Sequence, residues 1–258
     1  MAYQGYNFIF DGVPSQTYGL RIVSFESAPY RYAGGSSMEI TTDRAARSLR
    51  SRIMSVTPAK PLEFDLEIVC EYQLSTAQAL LVKDWLFGHI NYKRLQIMRE
   101  DLGGCYFNCL LNNPEDIQIN GNNGWKFTVV CDAGGAWEFP KTTRFFPTNG
   151  GVIVINNPSG NNDYTYPDVS FKMNADGDFA IKNQTDDNRL FSFEGLLSNE
   201  VVTVNGESKV ISSDLGIRRL SNFNKKFLRL KRGQNVLTCT GNVEYLDITI
   251  QNFRRLGG

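Results

Sequence analysis

Apolar and polar residues alternate over short segments along much of this chain. Charged and apolar positions alternate from Glu63 to Cys70, and the segment from Arg94 to Arg99 repeats the pattern. A period of two places successive side chains on opposite faces of an extended backbone. Both segments therefore predict half-buried β-strands.

The segment from Phe8 to Leu20 predicts a hairpin. Phe8 and Phe10 are two residues apart, so they share one face of a strand. Asp11-Gly12 then favours a turn, because glycine readily adopts positive φ. We expect the two phenylalanines to be buried and the segment to carry no catalytic residue.

One segment has a helical pattern instead. Ser75 and Gln78 have the spacing of a capping box, and Gly88 favours a helix end. The residues at helical spacing, which predict the buried face, are Ala77, Leu80, Leu81 and Trp85. Trp85 and Trp125 are therefore interpreted as core residues.

Turn residues divide the remaining apolar segments. Asn120-Gly121 separates two alternating stretches and predicts a hairpin, and Val204-Asn205-Gly206-Glu207 predicts another. Residues 140–151 are rich in proline and glycine and predict a linker. We therefore expect a β-rich domain with one helix at 1–139 and an all-β sandwich or jelly roll at 152–258, where strands recur about every ten residues.

Composition narrows the possible functions. The 258 residues contain 27 Lys and Arg against 27 Asp and Glu, so the formal net charge is zero. This balance disfavours non-specific binding to nucleic acids or anionic membranes. The chain has no apolar run long enough to span a bilayer and no signal-peptide pattern, which favours a cytosolic or self-assembling protein.

Catalytic and metal-binding patterns are absent from the sequence. The single histidine, His89, follows the helix end and is interpreted as a loop residue, since no nucleophile motif accompanies it. Asp176-Gly177-Asp178, with Asn174 nearby, could be an acidic pair or a degenerate calcium loop, but a turn fits better. The sequence predicts no cofactor. The scattered cysteines, expected to be reduced and mostly buried, are Cys70, Cys105, Cys109, Cys131 and Cys239.

One basic run interrupts the balanced charge. Its cations are Arg44, Arg47, Arg50 and Arg52. They could bind phosphate, form a subunit contact or lie on a solvated surface; neutral net charge and the lack of adjacent aromatic residues disfavour phosphate. A separate possibility is sugar binding in the second domain, for which Tyr164, Tyr166 and Arg189 are the candidate residues.

Several segments together resemble the distal tail proteins of siphophages that infect Gram-positive hosts. None is specific alone, and their order and spacing carry the resemblance: Phe8–Leu20, Leu62–Val69, Asp84–Gly88, Lys93–Leu95, the turn and strand at Lys231–Leu237, and the final strand at Ile248–Arg255.

The resemblance implies a mostly β fold. It consists of an N-terminal β-sandwich-like domain with one helix and an extended hairpin at Ala28–Thr57, followed by a galectin-like β-sandwich. It also implies a non-enzymatic hub at the virion tail tip, assembled in the host cytoplasm as a homo-oligomeric ring of six copies. The implied partners are the tail tube protein, the tail-associated hub protein and a receptor-binding protein, without sequence-specific DNA binding or membrane insertion.

Two other functions remain open at this stage. The first is a carbohydrate-binding module of the host-adhesion apparatus, using the second domain. The second is a glycoside hydrolase, which requires two facing carboxylates that the sequence does not identify. If the ring function holds, we expect the basic run to lie at a subunit contact.

Overall fold

The structure, a computed structural model, describes residues 5–24, 39–44, 49–57, 61–160 and 164–254. Its regular elements are, in chain order, β1 (Phe8–Phe10), β2 (Val13–Pro14), a 3-10 helix (Ser15–Tyr18), β3 (Leu20–Ser24), β4 (Glu39–Asp43), β5 (Arg52–Thr57), β6 (Glu63–Cys70), α1 (Thr76–Phe87), β7 (Lys93–Ile97), a second 3-10 helix (Glu100–Leu102), β8 (Cys105–Ile119), β9 (Asn122–Cys131), β10 (Ala136–Glu138), β11 (Lys141–Phe145), β12 (Val152–Asn157), β13 (Asp168–Met173), β14 (Gly177–Asn183), β15 (Arg189–Leu196), β16 (Val201–Val204), β17 (Ile211–Ser213), β18 (Gly233–Thr240), β19 (Val243–Ile250) and β20 (Phe253–Arg254). The prediction of a mostly β protein is confirmed.

The chain forms two compact units. The first contains the described residues up to Glu138 together with Arg254, and the second comprises Phe139–Phe253. In the first unit, seven strands form an antiparallel sheet in the order β2-β1-β7-β8-β9-β6-β3, and β10 pairs with β8 and β20. Alternate residues of β6 and β9 are buried, as their sequence pattern predicted.

The opening turn at Asp11-Gly12 is confirmed, but the strand from Leu20 pairs with β6 and not with β1. Asp11 and Gly12 have φ values of 48° and 80° and connect β1 to β2. Phe8 and Phe10 are buried on one face. The Trp85 indole Nε1 donates a hydrogen bond to the carbonyl of Phe10 at 3.3 Å, so the hairpin is anchored to α1.

The helix also forms where the sequence predicted it, but its buried face differs. The Ser75 Oγ accepts a hydrogen bond from the Gln78 backbone, and the Gln78 side chain accepts one from the Ser75 backbone, completing the capping box. Val82 and Leu86 are buried, with Ala79, Trp85 and Phe87 packed beside them. Ala77, Leu80 and Leu81 are exposed, so the predicted face was wrong at these positions.

This error has a simple physical origin. Both sets of residues have helical spacing, and α1 is apolar on more than one side. Periodicity therefore cannot decide which side meets the sheet. The contact of Trp85 with Phe8 and Tyr18 selects the orientation, since the ring centroids lie 6.2 and 4.9 Å apart.

The second unit is a β-sandwich. One antiparallel sheet has the order β11-β19-β13-β16-β17 and the other β12-β18-β14-β15. Both sheets contribute to one apolar core, in which Phe171 of β13 contacts Phe179 of β14 with a centroid distance of 4.0 Å. Two sheets that bury alternate residues against each other are the usual sandwich arrangement.

Two sequence predictions within this unit need correction in detail. Lys141–Phe145, in the stretch predicted as a linker, forms β11 and pairs with β19. The Val204-Asn205-Gly206-Glu207 segment does begin a hairpin, but the loop runs from Asn205 to Val210 instead of turning in two residues. Gly206 is needed there for space, because an added Cβ would lie 2.3 Å from the carbonyl oxygen of Pro167.

Candidate interface surfaces

The β4–β5 ribbon is the first candidate surface. Among the described strands, β4 and β5 pair only with each other. Ile53 and Met54 of β5 are 64% and 65% exposed, and Leu49, shortly before β5, is 94% exposed. A two-stranded ribbon has little stability of its own, and clustered exposed apolar side chains are typical of protein interaction surfaces.

The basic run lies at one end of this ribbon. Arg44 directly follows β4, Arg50 precedes β5, and Arg52 is the first residue of β5, opposite Asp43 in register. All three arginines are exposed. Arg47 lies outside the described residues. The structure thus places three of the four candidate arginines at the same end of the ribbon.

The outward side of α1 is the second candidate surface. Leu80 and Leu81 are 61% and 62% exposed, and Ile90, shortly after the helix, is 91% exposed. The sequence prediction missed this surface because it assigned both leucines to the core. It is a further apolar area on the first unit that a partner subunit could cover.

The third candidate surface lies in the second unit, where cations lie over aromatic rings. The Lys209 Nζ is 3.2 Å from the ring centroid of Tyr166 and 4.9 Å from that of Phe227. The Arg229 Cζ is 3.7 Å from the ring centroid of Tyr164. Such contacts hold a cation by its attraction to the face of the ring.

Buried Asp186 anchors this cluster. Its carboxylate accepts hydrogen bonds from Arg229 at 2.7 and 3.2 Å, and the Lys231 Nζ lies 3.9 Å away. Burial by itself would raise the pKa of Asp186, but the hydrogen bond and charge of Arg229 outweigh it and hold the pKa below its usual value. Asp186 is therefore a structural anion and not a proton donor.

The sugar-binding candidates are close to this cluster. Arg189 Nε donates to the carbonyl of Phe227 at 3.1 Å, next to Lys209 and Tyr166. Sequence reasoning missed Lys209 and Arg229, because no local motif links residues from four separate segments. One face of Tyr166 and one face of Tyr164 are covered by a cation, so neither ring offers both faces for stacking.

The turn before β18, part of the family resemblance, has a structural role. Gly233 has a φ of 85°, which favours glycine. Buried Asn235 accepts a hydrogen bond from the Lys231 backbone at 2.9 Å and donates one to its carbonyl at 2.8 Å. The Asn183 amide also donates to Asn235, at 3.3 Å. These bonds fix the start of the strand.

The residues considered for catalysis have structural partners. His89 Nε2 lies 2.8 Å from the Trp85 carbonyl oxygen. Asp176 and Asp178 accept hydrogen bonds from the backbone of Ser198 and Gly195, at 2.6 and 2.9 Å. Asp176 lies in the turn before β14, as the turn interpretation expected, whereas Asp178 is the second residue of that strand. In the described part of the chain, no three His, Cys, Asp or Glu side chains are grouped so that they could hold a metal ion.

All five cysteines are free and buried, as predicted. Burial raises the pKa of each thiol, to about 12 for Cys131 and Cys239. Thiols with such raised pKa values are poor nucleophiles. Within the ranges described above, no helix has the length and apolar character needed to cross a membrane.

Comparisons with known proteins cover both units. Residues 3–133 match the family model described as a phage tail protein N-terminal domain, and residues 136–251 match the one described as a phage tail C-terminal domain. The SPbeta prophage-derived uncharacterized protein YomH of Bacillus subtilis strain 168 is 25% identical over 238 residues, which are 91% of this chain and 92% of that protein.

A solved structure has the same fold. It is the crystal structure of the phage SPP1 protein Dit (gp 19.1), described as a paradigm of the hub adsorption apparatus in phages that infect Gram-positive bacteria. The TM-score is 0.72 at 9% sequence identity, and the match covers 95% of this chain and 98% of that one. At this identity the likeness concerns the fold.

Proposed function

Because this chain belongs to a family of phage tail proteins and has the fold of a distal tail protein, we propose that it forms a ring-shaped structural hub at the tail tip. The ring is a homo-oligomer, most simply a hexamer. It joins the tail tube to the tail-associated hub protein and to receptor-binding proteins. Its role is structural and non-enzymatic, and it assembles in the host cytoplasm before joining the virion tail.

The observation that carries the ring proposal is the β4–β5 ribbon. Ile53 and Met54 are largely exposed on a strand pair that has no other strand partner among the described residues. A neighbouring copy that packs on the ribbon would bury these side chains, at roughly 25 cal/mol for each Å² of apolar surface removed from water. Closed rings repeat one such heterologous contact at every subunit.

The first experiment tests this contact by measuring the oligomeric mass. The wild-type protein should form a ring-sized oligomer in analytical ultracentrifugation and ring-shaped particles in electron microscopy. Ile53→Ser with Met54→Ser should shift the population to smaller species, because the apolar contact is lost. The matched control is Val210→Ser with Leu215→Ser, which alters exposed apolar residues of the second unit. A wild-type protein that stays monomeric at high concentration would argue against the ring.

The basic run is tested separately. Arg47→Glu with Arg50→Glu should disrupt the oligomer by charge reversal, measured by light scattering. Intact rings in this variant would remove the basic run from the subunit contact and leave the apolar contact to explain assembly. The two double variants thus test the apolar contact and the arginine contact independently.

Carbohydrate binding is less well supported. A sugar platform needs an accessible aromatic face, and Tyr164 and Tyr166 each have a cation over one face. Their chemistry fits an anion better than a neutral sugar, because the surrounding side chains are positively charged. Binding of the intact protein to neutral glycans on an array would favour the carbohydrate function instead.

A further inference from the structure

The cation cluster of the second unit consists of Arg189, Lys209, Arg229 and Lys231. Arg229 and Lys231 share the buried carboxylate of Asp186. In contrast, Arg189 and Lys209 have no ion-pair partner among the described residues. The cluster therefore has one half that shares a buried carboxylate and an open half that contacts none.

The open half is centred on Phe227. Arg189 Nε donates to the Phe227 carbonyl, and the Lys209 Nζ lies against the Phe227 ring and directly over the Tyr166 ring. The Nε bond fixes the guanidinium and leaves its two terminal nitrogens available as donors. Lys209 also donates to the Gly206 carbonyl, which fixes the ammonium group near the surface.

Two cations are thus held near each other without an opposing carboxylate in contact. Burial and the charge of Arg189 both lower the pKa of Lys209, whereas the nearby charge of Glu207 raises it. Like charges held together cost free energy that a bound anion would recover. The aromatic rings and backbone carbonyls keep both cations in place before any ligand arrives.

We propose that Arg189 and Lys209 bind a phosphate group of a ligand, at a site flanked by Tyr166 and Phe227. A phosphate monoester carries between one and a half and two negative charges and three acceptor oxygens, so it can pair with both cations at once. A single carboxylate would neutralise only one of them. The planar guanidinium also matches the oxygen geometry of phosphate. This site is additional to the hub role, which needs no anion.

The test is isothermal titration calorimetry on the full-length protein at constant ionic strength. Two probes, inorganic phosphate and glycerol 1-phosphate, distinguish a free phosphate site from one that requires an ester. A peptide of glutamates is the third probe. Wild-type protein should bind at least one phosphate probe, and Arg189→Gln with Lys209→Gln should weaken that binding at least tenfold. Lys225→Gln with Lys226→Gln, which alters two exposed lysines, should leave it unchanged.

Several results would overturn the proposal. The first is that neither phosphate probe binds. The second is that the control variant weakens phosphate binding as much as Arg189→Gln with Lys209→Gln does. The third is that only the glutamate peptide binds, which would identify a protein-docking surface. The single variant Lys209→Gln is the control for loss of binding through misfolding. Because Lys209 is exposed, this substitution should weaken phosphate binding while the thermal unfolding profile is retained. The oligomeric mass should be the same in all these variants, so failure here is distinct from failure of the ring.

Discussion

At the scale of single residues, a buried ion pair connects two segments of the second unit. Arg219 donates to both carboxylate oxygens of Glu200, at 2.7 and 2.5 Å, and their side chains are 6% and 0% exposed. The backbone of Leu197 and the hydroxyl of Ser213 donate to the same carboxylate. The pair thus attaches the loop that precedes β18 to the start of β16. Ion pairing was not predictable here, because the two residues have no distinguishing local pattern.

We expect Glu200→Gln to lower the free energy of unfolding of the second unit by about 3–5 kcal/mol. The substitution preserves shape but leaves the Arg219 guanidinium buried without its countercharge. Urea denaturation at pH 7 measures the effect. The control is Glu244→Gln, which breaks the surface pair with Lys172 and should lower the free energy of unfolding far less, because water screens that pair.

The Arg219–Glu200 pair also predicts how the stability difference between wild type and Glu200→Gln depends on pH. Burial alone would raise the pKa of Glu200, but hydrogen bonds from Arg219, Leu197 and Ser213 bring it below its usual value. A lowered folded-state pKa adds stability that is complete above about pH 4.3 and is lost as the pH falls through the folded value. The stability gap between wild type and Glu200→Gln should therefore narrow below about pH 4. A constant gap down to pH 2 would contradict the assignment.

At the scale of elements, turn residues determine the hairpins. Asn120 and Gly121 have φ values of 51° and 82° and join β8 to β9 in a two-residue turn, as the sequence predicted. The loop at Asn205 differs because Gly206 packs against the Pro167 carbonyl, a contact from a distant segment. Local turn chemistry is therefore decisive where no tertiary contact competes with it.

We expect Gly121→Ala to destabilise the first unit by about 1 kcal/mol or more. No atom lies within 4 Å of the new Cβ, so the cost comes from the left-handed backbone alone. Asn120→Gly is the matched control in the same turn and should change stability little, because glycine tolerates that φ. Thermal unfolding monitored by tryptophan fluorescence measures both. Equal stabilities would mean that the turn relaxes to another conformation.

At the scale of the whole molecule, each unit has a separate apolar core. In the second unit, β11 pairs with β19 along Lys141 to Phe145, and Arg144 donates twice to Asp247 at 2.7 Å. Phe145 packs against the core. We therefore propose that the second domain begins at residue 139, before the stretch that its composition marks as a linker.

We expect the fragment 139–253 to unfold cooperatively on its own, since it contains both sheets. The fragment 152–253, which lacks β11, should be less stable because it loses the Arg144 pair and exposes the edge of β19. Circular dichroism during urea denaturation compares the two. Equal urea midpoints for the two fragments would instead support residues 140–151 as a linker outside the second domain.

The sequence by itself determined the class of fold, the hairpins at Asp11-Gly12 and Asn120-Gly121, the capping box at Ser75 and the family. These depend on local backbone preferences, on period-two burial or on an ordered set of motifs, all of which are present along the chain. Only the tertiary structure decided the orientation of α1, the pairing of β11, and the partners of Glu200, Asp186 and Lys209. Those depend on contacts between residues far apart in sequence, where several pairings have equal local propensity and packing selects one.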